Sequence, residues 1–318
     1  MAKKLSAIFL SLVILIGVMS GCVNADINKD NKKISIVTTI FPIYDWVKEI
    51  SGDTDIELKM LIDNGVDPHS FQLSADDIVT ISDSDMFIYV GGESDEWVED
   101  ALEVAPNEDR VVINLLNVLS DEAKEEEVVE GMQAERRDEA EYDEHVWLSL
   151  KNAEKLCDYI GKKLCKLNAE YKNKYKSNTK TYIKKLNKLD NDYKTAVEDA
   201  KFKTVLFGDR FPFRYLFDDY GLSYFAAFAG CSSETEASFE TIAFLSKKAD
   251  ELSLKSIVQI DGSDGSVAQT IKDSTKGKNQ KIITLNSMQS ISKKDVESGA
   301  TYLSVMEDNL KVLKLALK

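Results

Sequence analysis

The chain has 318 residues, 43% of them hydrophobic and 30% charged, with a formal net charge of −15. That is enough apolar content for packed cores and too much for a disordered chain, while so acidic a surface disfavours nucleic acid and suits small cations. Four cysteines without a C-x-x-C pair argue against both a zinc ribbon and a disulfide framework, and the only two histidines are His69 and His145.

The first residues, "MAKKLSAIFLSLVILIGVMSGC", carry Lys3 and Lys4, then an apolar run, then small residues before Cys22. This order predicts a secretory signal over 1–21. The apolar run is shorter than the roughly 20 residues that a membrane span needs. "MSGC" resembles a bacterial lipobox, so Cys22 is expected to carry the lipid and 22–33 to form a polar tether. Two fatty chains on one residue hold a protein to a bilayer where one would not. The expected location is extracytoplasmic, anchored to the cell membrane as a lipoprotein, with no second segment able to span it.

From residue 34 the pattern alternates. "ISIVTT" is β-branched and reads as a buried strand; "FPIYDWVKEI" is an apolar-periodic helix opened by Pro42; "IELKMLI" is a second strand. "GVDPH" follows, then "LSADDIVTI", where Ser74 and Asp77 form a capping box. "MFIYVGG", "SDEWVEDAL" and "RVVINL" complete a βαβαβαβ order, which predicts a parallel, doubly wound lobe over 34–148. Within it, residues 121–144 are charge-rich and lack apolar periodicity, which predicts a mobile acidic loop.

Residues 149–200 are one long helical signal, with Leu156, Ile160, Leu164, Tyr175, Tyr182, Leu186 and Tyr193 on one stripe. Nothing after Gly161 breaks it, and unbroken it would reach about 70 Å. The expectation is a rigid spine laid across two lobes. A second alternation over 201–318 follows: strands "TVLFGD", "SYFAAFAG", "KSIVQID" and "KIITL", helices between them, and a long amphipathic helix from 295 to 317. The predicted fold class is α/β, two doubly wound parallel-sheet lobes bridged by one long α-helix.

In open parallel sheets, ligands bind beyond the carboxyl ends of the strands. Four segments reach that edge with metal-capable groups: "LKMLIDNGVDPH" brings His69, "EYDEH" brings His145, "VLFGD" brings Asp209 and "IVQID" brings Asp261. Pro68 restricts Asp67 to extended backbone and stiffens the approach to His69. A lone histidine on a loop is usually a surface group, and an aspartate after a strand is often a turn former. Four converging on one cleft favour a site for zinc or manganese, since copper(I) would want softer donors.

"IFPIYDWVKEISGD", "GVDPHSFQLSADDI", "DEHVWLSLKNA", "FRYLFDDYGL" and "TYLSVMEDNLKVL" resemble, in order and spacing, the successive motifs of the zinc- and manganese-binding solute receptors of bacterial ABC importers. The resemblance spans nearly all of the chain after the tether. It implies one transition-metal ion held between two lobes and delivered to an ABC permease, by a receptor expected to be monomeric. It implies ligation by His69 and His145. The family's third ligand falls on Arg210, whose guanidinium cannot ligate a cation. Asp209, a water, or Glu234 or Glu236 from "CSSETEAS" could replace it, or Arg210 could neutralise surplus carboxylates. The fourth ligand falls near Asp261. Two histidines with two carboxylates resemble the manganese receptors, whereas the acidic loop before His145 resembles the zinc receptors; Zn2+ is favoured, with Mn2+ as the alternative. The other readings are a surface adhesin or metal buffer, and a metallohydrolase. The hydrolase would need an activated water and a base, for which Glu144 is the one candidate; no H-E-x-x-H, Gly-x-Ser-x-Gly or phosphate loop is present. No enzyme is therefore expected.

Overall fold

The computed structural model describes residues 33–133, 141–232, 234 and 236–318. The signal segment 1–21 and Cys22 lie outside the described residues, as does the tether apart from Lys33. Among the described residues no helix is long and apolar enough to cross a membrane.

The first lobe interleaves β1 (Ile34–Thr38), α1 (Phe41–Ser51), β2 (Ile56–Met60), α2 (Ala75–Ser82), β3 (Met86–Tyr89), α3 (Trp97–Val104), β4 (Val111–Asn114) and α4 (Leu115–Leu119). Its sheet is parallel throughout in the order β2-β1-β3-β4. Pro42 stands in the first turn of α1, and Ser74 and Asp77 cap α2 reciprocally, as their spacing requires. The second lobe has β5 (Thr204–Phe211), α7 (Arg214–Tyr220), β6 (Ser223–Ala229), α8 (Phe239–Glu251), β7 (Ser256–Ile260), α9 (Ser266–Ser274) and β8 (Lys281–Leu285). It is parallel in the order β6-β5-β7-β8. Both orders reverse direction at a central strand pair, β1/β3 and β5/β7, which is where a ligand cleft opens.

Between the lobes the expected single spine is two helices, α5 (Leu150–Leu167) and α6 (Lys172–Glu198). They fold back on each other: Gly161 faces Thr179, and Asn187 Nδ2 lies 3.5 Å from Glu154 Oε2. The break at residues 168–171 lets Leu156, Ile160 and Leu164 share one core with Tyr175, Tyr182 and Leu186, where a continuous helix would leave its stripe largely in water. Helix α6, about 40 Å long, is the bridge. Near its start Asn178 Nδ2 donates to Ile50 O of the first lobe, and near its end Tyr193 Oη donates to Met306 O of the second.

Two further expectations differ. The C-terminal amphipathic stretch forms α10 (Lys293–Glu297) and α11 (Tyr302–Ala316), parted at Gly299, whose φ of 100° no helix accommodates. The acidic loop 121–144 is pinned over its described part. Lys124 N donates to Tyr215 Oη, Tyr224 Oη donates to Glu127, and Gln133 N donates to Ala227 O of β6. Glu125 also bridges to Tyr142 within the loop. The charges of its stretch 121–133 are exposed or half-buried, while Val129 and Met132 pack against the core and Asp143 and Glu144 at its end are buried. That apolar pair falls at no regular period and is invisible to a periodicity test.

One apolar cluster runs from the first sheet through α5 and α6 into the second lobe, and a smaller one lies behind the second sheet around Leu206, Leu245 and Ile257.

Candidate metal centre

His69 sits in a single 3-10 turn, Pro68–Ser70, nine residues beyond β2. Asp67 has the extended backbone that Pro68 demands, at φ −60° and ψ 132°. Its Oδ1 accepts from His69 N at 3.1 Å, and its Oδ2 accepts from Arg210 of the second lobe at 2.6 Å. Burial alone would raise the Asp67 pKa, but the Arg210 guanidinium outweighs it and holds the carboxyl below its ordinary value. Arg210 therefore neutralises a carboxylate at the cleft and is tied across the lobes.

His145 is fully buried. The turn after it is locked by Trp147, whose Nε1 donates to Ser287 O and whose carbonyl accepts from Tyr302 Oη. Asp143 holds the ring: its Oδ1 accepts from His145 N and lies 2.9 Å from Nδ1. That fixes the proton on Nδ1 and turns Nε2 outward as the basic nitrogen, the arrangement in which a carboxylate orients a metal-ligating histidine. Gln289 Nε2 lies 3.2 Å from Nε2, a contact that a ligated cation would displace. Burial works to lower the His145 pKa, but the Asp143 charge and hydrogen bond override it, and the imidazole titrates above its ordinary value.

The two imidazoles stand 5.9 Å apart between ring centres. Glu144 adjoins them, with Oε1 3.5 Å from His69 Nε2. Ser94 Oγ donates to Oε1 at 2.6 Å and Ser94 N to Oε2 at 3.0 Å. Burial raises the Glu144 pKa, with the neighbouring His145 and Ser94 pulling it back. Asp95, beneath it, is pushed up to about 7 by burial and then by the Glu144 charge. The fourth member is Cys231, two residues past β6. One ligand atom each from His69, Glu144, His145 and Cys231 lies within 4.8 Å of every other.

Asp209 and Asp261 are not in that group. They line the wall of the adjoining cleft, about 600 Å3, together with His69, Asp67 and Arg210. Asp209 is engaged by its own sheet, accepting from Arg210 N at 2.8 Å and Ile260 N at 3.2 Å, because β5 shifts register between Phe207 and Arg210. Asp261 Oδ1 accepts from Ser287 N and Oγ. Glu234 lines the same cleft. Sequence reasoning offers Glu144 only as a possible base and gives Cys231 no role. For Cys231 the available signal is topological, since it leaves β6 at the carboxyl edge as His69 leaves β2; Glu144 is marked only by standing next to His145.

The family model for the zinc-uptake complex component A, periplasmic, matches residues 36–316. The zinc-binding lipoprotein AdcA of Streptococcus pneumoniae is 31% identical over 316 residues, 98% of this chain and 60% of that protein. The chain thus spans about 60% of the length of this curated relative. The high-affinity zinc uptake system protein ZnuA of Bacillus subtilis is 30% identical over 322 aligned residues, covering 100% of this chain and 99% of that one. The crystal structure of the Zn(II)-bound ZnuA-like domain of Streptococcus pneumoniae AdcA has a TM-score of 0.71 at 30% identity, covering 90% of this chain and 99% of that domain. With its two parallel lobes, its bridging helix and its paired imidazoles, the chain belongs to the ZnuA family of periplasmic zinc-uptake components.

Proposed function

We propose that this chain is an extracytoplasmic receptor that captures one zinc ion between its lobes and delivers it to an ABC permease. The observation that carries this reading is the meeting of His69, Glu144 and His145, from two separate loops of the first sheet, with Glu144 and His145 buried and His69 half-buried. His69 and His145 are the imidazole ligands and Glu144 the carboxylate. Asp209 and Asp261 contribute field rather than a bond, keeping the cleft attractive to a cation, while Arg210 offsets Asp67. The names of the relatives support zinc as the cargo and an uptake system as the context. The "SGC" sequence supports anchoring through a lipidated Cys22, and the receptor acts as a monomer. Capture rather than catalysis fits Glu144: both its oxygens are held by Ser94, which suits a fixed ligand better than a proton shuttle.

Zinc titration in competition with a chromogenic chelator tests this. Wild type should bind one equivalent, and His69→Ala and His145→Ala should each weaken binding by about a hundredfold or more, because a preorganised buried site loses a strong donor. Wild-type affinity in both variants would remove the basis of the reading.

A further inference from the structure

We propose that Cys231 Sγ is a direct ligand of the captured ion, making the site a mixed nitrogen, oxygen and sulfur set that selects borderline-soft cations such as zinc over manganese. The proposal rests on the receptor reading above and names the chemical class of its cargo.

Cys231 differs from the other described cysteines in where it sits. Cys157 and Cys165 lie on α5, Cys157 within the apolar core. Cys231 is 6% exposed, and its sulfur belongs to the same group as the two imidazoles and Glu144. Its backbone is held there, since Cys231 N donates to Glu126 Oε1 at 2.9 Å. Gly230 makes the approach possible. A Cβ there would stand 3.1 Å from His145 Cε1, 3.2 Å from His145 Nδ1 and 3.0 Å from Phe211 O. The chain therefore passes close against the His145 ring just before it presents the thiol.

The donor count points the same way. Arg210 occupies the place where the family resemblance expects a third ligand, so that position supplies no donor. His69, His145, Glu144 and Cys231 make four without it. Bonds of about 2.0–2.3 Å in tetrahedral geometry put ligand atoms roughly 3.3–3.8 Å apart. The group, with a largest separation within 4.8 Å, would close by up to about 1–1.5 Å to reach that spacing. On ligation the thiol proton passes to solvent as the sulfur–metal bond forms. Thiolate suits zinc, cobalt and cadmium, whereas manganese is served by oxygen donors, so the sulfur discriminates by softness where cavity size would not. Four protein donors also fill the shell and leave no bound water to activate.

Cobalt(II) is the probe. The wild-type protein loaded with one equivalent should show a sulfur-to-cobalt charge-transfer band in the near ultraviolet and strong tetrahedral visible bands. Cys231→Ser should lose the charge-transfer band, still take up cobalt more weakly, and lose at least about tenfold of its preference for zinc over manganese, a step that competition titration resolves. Cobalt bound in a histidine-dependent way without the charge-transfer band would overturn the role of Cys231 and leave the receptor reading standing. No cobalt or zinc binding by the wild type would overturn both. If Cys231→Ser does not fold, zinc K-edge absorption of the wild type decides: a sulfur shell near 2.3 Å supports the proposal and a shell of nitrogen and oxygen alone refutes it.

Discussion

In the proposed site Asp143 would touch no ion, yet it would govern when His145 holds one. Ligation needs Nε2 unprotonated, and a proton is the competitor. Because Asp143 raises the His145 pKa above 6.5, that competition begins at a higher pH than for an ordinary imidazole. Zinc affinity should be flat on the alkaline side, fall as pH drops through the raised His145 pKa, and fall further when Glu144, also raised, takes its proton. Asp143→Asn removes the charge but keeps a hydrogen-bond acceptor. Its first decline should move to lower pH, and its affinity near pH 8 should drop by about 10–100-fold as the ring loses its orienting partner. Zinc competition from about pH 5 to pH 8, across the range where histidines titrate, reads both effects. An unmoved midpoint would show that Asp143 does not set it.

At the scale of elements, the eight strands of the described residues were legible because β-branched runs between turn residues have few other solutions. The helices were legible where caps or prolines mark them, as at Pro42 and Ser74. The break between α5 and α6 was not. Residues 168–171 hold no glycine or proline, and the apolar stripe keeps its phase because both helices face the same core. The candidate site was half legible for a related reason. His69 and His145 stand out by rarity, whereas Glu144 is one of many acids and Cys231 is a residue usually buried for packing. The hairpin itself rests on a close approach: a Cβ on Gly161 would lie 2.3 Å from Thr179 Oγ1, which is held by a hydrogen bond to Tyr175 O. Gly161→Ala should gain about 1 kcal/mol of helix propensity and lose more by overpacking, about 1–3 kcal/mol. Urea denaturation should therefore show a net loss. Adding Thr179→Ala should recover part of it, since the pair would no longer collide. A Gly161→Ala protein more stable than wild type would show that the two helices can spread at no cost.

Across the whole molecule the lobes are joined by more than α6. Asp45 of α1 accepts from Tyr302 N at the start of α11, and Trp46 packs edge-on against the Tyr302 ring at 5.2 Å. Burial pushes the Asp45 pKa from 3.8 up to about 6. The folded protein thus keeps a proton there that the unfolded chain has released. Between about pH 4 and pH 6 stability contributed by Asp45 falls as pH rises, with a total on the order of 3 kcal/mol. Asp45→Asn carries no such charge and retains an acceptor for Tyr302 N. It should match the wild type near pH 4 and exceed it at pH 7 by up to that amount. Denaturation curves at the two pH values measure the difference, and equal stability at both would show that the carboxylate is solvated in the folded state.

The docked acidic segment has a consequence for how copies of the chain behave together. Strand β6 is an edge of its sheet, and a bare edge is a template for pairing with another molecule. Gln133 bridges to Phe228 and donates to Ala227 O, while Glu127 takes the Tyr224 hydroxyl on the same strand. The stretch that looks, by composition, like solvated filler partly closes that edge and surrounds it with like charge. Two copies approaching β6 to β6 meet repulsion and an already occupied backbone, so the fold carries its own guard against sheet-to-sheet aggregation.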